Sequence, residues 1–117
     1  MNYPFFKNKG PYKINDLLKL SNVENNQNFD NTKILDIKDL VSSTNKDISF
    51  FHSKKYEILA SQTKASFCLT TTKLENILPN TCKSIIVDNV LISTSKITKT
   101  FYPDSVTDDF DINVNFF

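Results

Sequence analysis

Two residues in one short stretch have the types and spacing to hold a flat ring. Phe50 and Tyr56 both fall within Asp47-Ile48-Ser49-Phe50-Phe51-His52-Ser53-Lys54-Lys55-Tyr56. The first half is an apolar, strand-like run and the second a polar turn. A fold-back at Ser53-Lys54 brings Phe50 and Tyr56 face to face, and two facing rings make a slot for a planar heterocycle such as a nucleobase. Stacking contributes roughly 1–3 kcal/mol per base. After the entropy of association, such a slot alone holds its guest at about millimolar to high micromolar strength. His52 would line it as a polar neighbour or face solvent. On composition alone, however, both rings read as ordinary core side chains of a strand and the helix after it.

The rest of the chain offers little other chemistry. His52 is the one histidine, so no His-based metal cluster can form around it, and no metal is expected. Cys68 and Cys82 sit far apart in apolar or mixed runs and read as two reduced, buried thiols. No spacing argument joins either of them to His52 as a nucleophile–base pair. Asp108-Asp109 reads as a solvated turn. The single glycine, Gly10, precedes Pro11, so neither a dinucleotide fingerprint nor a phosphate loop is present and no cofactor is expected. The net charge is +1 and every basic residue is lysine. No strong field draws nucleic acid. Without arginine, a phosphate would meet lysines or backbone N–H groups.

The 117 residues suffice for one modest core. No run approaches the ~20 apolar residues that span a bilayer. The opening Met1–Lys7 lacks a long apolar stretch and a cleavage site, so a cytoplasmic location is expected. Residues 1–13 read as an N-terminal arm, 14–102 as the folded domain and 103–117 as a separate tail. Within the domain, Ile14, Leu17 and Leu18 have helical spacing. Strands are expected at Lys33–Ile37, Ile48–Phe51, Ala65–Thr70 and Ser84–Asp88, with short helices at Lys54–Ala60 and Val90–Thr100. Thr72 followed by Glu75 suggests a capping box on a further helix ending before Pro79. Strands alternating with helices predict an α/β (α+β) fold, one small mixed sheet with short helices packed on it. In the tail, Val106, Phe110, Ile112, Val114 and Phe116 alternate with polar residues and ask for a partner sheet. That exposed alternation also allows a non-enzymatic reading, a small α/β interaction module whose edge recruits another protein.

Several of these segments, taken in order, resemble the N-terminal, non-repeat domain of the UDP-3-O-acylglucosamine N-acyltransferases of lipid A biosynthesis. Asp16-Leu17-Leu18 resembles the opening helix of that family. Asp47-Ile48-Ser49-Phe50-Phe51 resembles its Gly-Asp-Ile strand, with Lys46 in place of the glycine. Lys55-Tyr56 and Leu59 resemble its Asn-Pro-Lys-Tyr turn, with Ser53 for asparagine and Lys54 for proline. Lys64-Ala65-Ser66-Phe67-Cys68-Leu69, Ile85-Ile86-Val87-Asp88-Asn89 and Tyr102-Pro103-Asp104-Ser105-Val106 resemble two later strands and the start of a left-handed β-helix. The resemblance implies that Phe50 and Tyr56 stack on the uracil of a UDP-acylglucosamine, with Ser53 where the family has an asparagine that reaches the base. It also implies what this chain lacks. The family's catalytic histidine, acyl groove, acyl-carrier-protein surface and trimer interface lie on hexapeptide repeats, which would follow Phe117. His52 does not match that histidine. The chain is expected to be a truncated, by itself inactive, substrate-binding part of an enzyme that moves a 3-hydroxyacyl group from acyl carrier protein to a glucosamine amine.

Overall fold

The computed structural model describes residues 8–20, 29 and 32–103. Nine regular elements follow in order: β1 (Tyr12–Lys13), α1 (Ile14–Leu20), β2 (Lys33–Ile34), β3 (Asp36–Ile37), β4 (Asp47–Phe50), α2 (Glu57–Ser61), β5 (Phe67–Thr70), β6 (Lys83–Ile86) and α3 (Val90–Phe101). Single 3-10 turns at Lys54–Tyr56 and Glu75–Ile77 complete the connections. The fold is α/β with small sheets and short helices, as the alternation predicts. Parallel and antiparallel pairing are both present but in separate sheets. Strands β3-β4-β5-β6 form one four-stranded sheet, parallel throughout, while β1 and β2 make a two-stranded antiparallel ribbon.

Sequential order explains the layering. Parallel neighbours joined by crossovers of one hand place every connection on the same face. That face carries α2 and the Glu75–Ile77 turn, packed as Leu40, Phe51, Ala60, Ala65, Cys68, Leu78 and Cys82. The opposite face is left for α1 and α3, and Ile14, Leu17, Ile48, Phe50, Leu69, Ile85, Ile97 and Phe101 form the larger cluster there. Strand parity assigns the side chains. Ile48 and Phe50 point to the larger cluster and Phe51 to the smaller. In α3, Val90, Thr94, Ile97 and Phe101 are the buried stripe, and Asn89 caps its start by accepting from the Ile92 N–H at 3.0 Å.

The expected Lys33–Ile37 strand divides at Leu35, which is 44% exposed; its first half joins the ribbon and its second the parallel sheet. The expected Thr72 helix reduces to the 3-10 turn. The Glu75 carboxylate receives a hydrogen bond from Ser84 Oγ at 3.2 Å, which sends that side chain toward β6. The described end of the arm is part of the fold. The Lys9 N–H donates to the Phe101 carbonyl at 2.8 Å, Asn8 donates to the Leu35 carbonyl at 2.9 Å, and Tyr12 pairs with Ile34. Gly10 is needed there, because a Cβ would stand 2.7 Å from Cε1 of the buried Phe101 ring. The proposed β-helix start falls on residues 103–117, of which 104–117 lie outside the described residues.

Buried polar groups fix the ends. Asp47 accepts from the Thr44 N–H at 2.8 Å and the Thr44 hydroxyl at 3.0 Å, closing the turn that launches β4. Lys38 Nζ is 3.9 Å from the same carboxylate. The Tyr102 hydroxyl donates to Asp36 Oδ1 at 2.7 Å, tying the end of α3 to β3. Burial and this carboxylate push the Tyr102 phenol up to about 12.

Candidate functional site: an aromatic turn at the carboxyl edge of the sheet

The chain leaves β4 at its carboxyl end and folds at once into a tight turn. Ser53 makes that turn. Its backbone is extended, its Oγ accepts from the Lys55 N–H at 3.2 Å, and its carbonyl accepts from the Tyr56 N–H at 3.0 Å. Ser53 is therefore the cap of the Lys54–Tyr56 turn, and Lys54 is the first helical residue. Proline fits that position well because the N–H there needs no intrahelical partner; lysine keeps the turn and adds a charge.

The turn brings His52 and Tyr56 together, ring centroids 5.6 Å apart and planes inclined by 40°. Lys55 Nζ lies over the Tyr56 ring at 5.6 Å, within cation–π range. Tyr56 and His52 are both partly exposed. Burial holds the His52 imidazole below its ordinary 6.5, so it is neutral near pH 7, and its Nδ1 is buried. Lys54 and Lys55 are exposed. The side chains on offer are thus an aromatic face, a neutral imidazole, a hydroxyl and two cations.

Phe50 differs from the other three. It closes β4 with 4% of its surface exposed and belongs to the cluster under α1 and α3, whereas Tyr56 packs against the smaller cluster. In this conformation Phe50 offers a ligand almost none of its ring. The strand order has no reversal that would by itself mark a binding crevice. The turn is singled out by its side chains.

The described surface also has a cavity of about 440 Å³, lined by Phe29, Glu75, Leu78, Cys82, Lys83 and Ser84 among others. It opens at the amino end of β6, the far end of the sheet from the aromatic turn. The register makes the separation explicit. His52 lies about five strand residues beyond the level of Cys82 and three beyond Cys68, about 16 and 10 Å at 3.3 Å per residue. His52 is too far from either thiol to serve as its base. Sequence reasoning missed one juxtaposition: Cys68 and Cys82 pack into the same cluster. Only the pairing of β5 with β6 shows it. Among the described residues, no three His, Cys, Asp or Glu side chains gather to hold a metal. No helix among them is long and apolar enough to cross a membrane.

The fold and turn define a small α/β module with a parallel main sheet and an aromatic, cationic surface at its carboxyl edge. Its descent is more specific. The chain belongs to the LpxD family: the family model for UDP-3-O-(3-hydroxymyristoyl) glucosamine N-acyltransferase, LpxD, matches residues 31–100, from before β2 nearly to the end of α3. The chain is also 24% identical over 110 residues to UDP-3-O-acylglucosamine N-acyltransferase 2 of Legionella pneumophila (strain Paris). That alignment takes in 93% of this chain and 32% of the relative, so the chain spans about a third of the relative's length.

Proposed function

We propose that this chain is the uridine-anchoring portion of a UDP-3-O-acylglucosamine N-acyltransferase of lipid A biosynthesis, with the aromatic turn as its nucleotide site. The observation that carries the reading is the turn itself: Tyr56, a neutral His52, the Ser53 hydroxyl and Lys54-Lys55 project together beyond β4. Uracil has a flat face to stack on Tyr56. Its edge alternates carbonyl oxygens with an N–H, which suits a neutral imidazole and a hydroxyl that can still donate while its oxygen caps the turn. The diphosphate would meet Lys54 and Lys55 as point charges. Phe50 joins as a second stacking face only if the side chains covering it move aside.

In the whole enzyme the reaction is transfer of a 3-hydroxyacyl group from acyl carrier protein to the glucosamine amine. These residues would orient the nucleotide sugar and leave the proton transfer to residues elsewhere. Titration of the ¹⁵N-labelled chain with uridine monophosphate tests the reading. The amide resonances of residues 50–57 should shift, and cytidine or adenosine monophosphate should shift them less. Shifts confined to the Glu75–Ser84 cavity would overturn it.

The alternative, a non-enzymatic interaction module, gains one observation. Ile58 and Leu59 on α2 are 69% and 40% exposed beside Tyr56. Saturable uridine binding at the turn decides against it as the principal role.

A further inference from the structure

The sheet face under the smaller core cluster carries a row of sulfur and hydroxyl groups that the proposed nucleotide site does not use. Ser49 of β4 is in register with Cys68 of β5, and Cys68 with Ser84 of β6. Cys82 is two residues before Ser84, hence on the same face of the sheet. Cys68 and Cys82 are both free and pack into the same cluster. The two thiols are not equivalent. Cys68 is fully buried, with its Sγ 3.7 Å from the Leu69 carbonyl. Cys82 is 7% exposed and lines the cavity of about 440 Å³. A peroxide, little larger than water, fits easily into such a space. The third member, Ser49 Oγ, is fully buried and has no hydrogen-bond partner among the described residues. An unpartnered hydroxyl beside Cys68 is a donor for sulfur that takes on negative charge.

We propose that Cys82 and Cys68 form a two-thiol oxidation site for small peroxides that enter through the Glu75–Ser84 cavity, and that it closes to an intramolecular disulfide. Cys82 Sγ gives its proton to solvent and attacks one peroxide oxygen. The O–O bond breaks, Cys82 becomes a sulfenic acid, and the departing oxygen leaves as water or alcohol after taking up a proton. Cys68 Sγ then attacks the Cys82 sulfur. The S–O bond breaks, the S–S bond forms, and the departing hydroxide takes the Cys68 proton as a second water. The thiol pair loses two electrons and the peroxide gains them. Burial pushes the Cys68 thiol well above its ordinary range, so it stays protonated and leaves the attack on peroxide to Cys82. Bond formation draws the Pro79–Cys82 turn toward β5, and that turn supplies one wall of the cavity.

The test treats the reduced, folded chain with hydrogen peroxide in small molar excess, followed by intact-mass and peptide mapping. The expected product is monomeric, lighter by two hydrogens, linked Cys68 to Cys82 and restored by a thiol reductant. Added oxygens without the internal link, or thiols left unreacted, would overturn the proposal. In Cys68→Ser a dimedone adduct should accumulate on Cys82; in Cys82→Ser, Cys68 should stay reduced, and a Cys68 adduct there would refute the order of steps. Should either variant fail to fold, alkylation of the native chain by iodoacetamide gives the same discrimination. Cys82 should react at least ~10-fold faster than Cys68, as exposure dictates; equal rates would refute the asymmetry.

Discussion

Replacing Tyr56 by alanine should weaken uridine binding while leaving the fold intact, and the contrast with Phe50 gives that test its force. Phe50 is 4% exposed inside the principal cluster. Removing a buried phenylalanine ring costs about 3–5 kcal/mol. A whole domain of this kind is stable by about 5–15 kcal/mol. Lost binding in Phe50→Ala would therefore be confounded with lost structure. Tyr56 is partly exposed and packs at the margin of the smaller cluster, so its truncation is a smaller structural loss. One stacking face is worth roughly 1–3 kcal/mol, which is about 5- to 150-fold in Kd. The assay is the same ¹⁵N titration with uridine monophosphate, with urea unfolding of each variant as the control. Tyr56→Phe keeps the ring and should bind within about threefold of the native chain. Phe50→Leu nearly keeps the volume but removes the flat face, at a stability cost of under about 1.5 kcal/mol. A folded Tyr56→Ala chain with unchanged Kd would refute the nucleotide site. Weakening in Tyr56→Ala but not in Phe50→Leu would show a one-sided platform instead of a slot.

Three further outcomes follow from the buried polar groups and from Gly10. Tyr102→Phe should lower stability by about 1.5–3 kcal/mol, as expected for a buried hydrogen bond to a carboxylate, measured by urea denaturation. The Tyr102 phenol rises from 10.0 to about 12 in the folded chain, so the unfolded chain loses that proton first. The contribution is complete below pH 10, falls as pH rises toward 12, and should vanish from the alkaline stability profile in Tyr102→Phe. For His52 the sign is opposite. Its folded value is below 6.5, so the unfolded chain binds the proton first and stability falls as pH drops below 6.5. His52→Gln should flatten that acid limb. Gly10→Ala should destabilise by about 1–3 kcal/mol, since the added methyl meets the Phe101 ring at 2.7 Å and the ring is fixed in the core. Thermal melting of the variant beside the native chain measures it.

Local pattern located most of the elements because it is what forms them. The Ile14, Leu17, Leu18 spacing predicts α1, and α1 runs from Ile14 to Leu20. The β-branched run before Asp88 predicts a strand, and β6 is found at Lys83–Ile86. Local pattern failed where a distant partner takes over a side chain or a strand. Thr72 and Glu75 have the spacing of a capping box, but Ser84 sits 3.2 Å from the Glu75 carboxylate, across a gap of nine residues. Lys33–Ile37 reads as one strand, but its halves answer to Tyr12–Lys13 on one side and Asp47–Ile48 on the other. Parallel pairing throughout the main sheet was not stated by the alternation either. It follows from the connections, a turn between β3 and β4, α2 between β4 and β5 and the Glu75–Ile77 turn between β5 and β6, each of which returns the chain to the same end of the sheet.

The aromatic turn shows where that limit falls at the site itself. Capping and turn chemistry are local, so the fold-back at Ser53 and the nearness of His52 to Tyr56 follow from neighbours in the chain. Whether a ring faces solvent or core depends on what covers its face of the sheet. Parity alone sends Phe50 to the side opposite Phe51. It does not say that α1 and α3, contributed by residues 14–20 and 90–101, close over that side. His52, Ser53 and Tyr56 are therefore partly exposed, while the Phe50 ring is one that the fold has already claimed. A nucleotide using both rings must displace part of the packing on Phe50, and that cost lowers its affinity below what two stacked faces would give. The one-sided platform on Tyr56 carries no such cost, which is why the Tyr56 and Phe50 variants should part company in the titration.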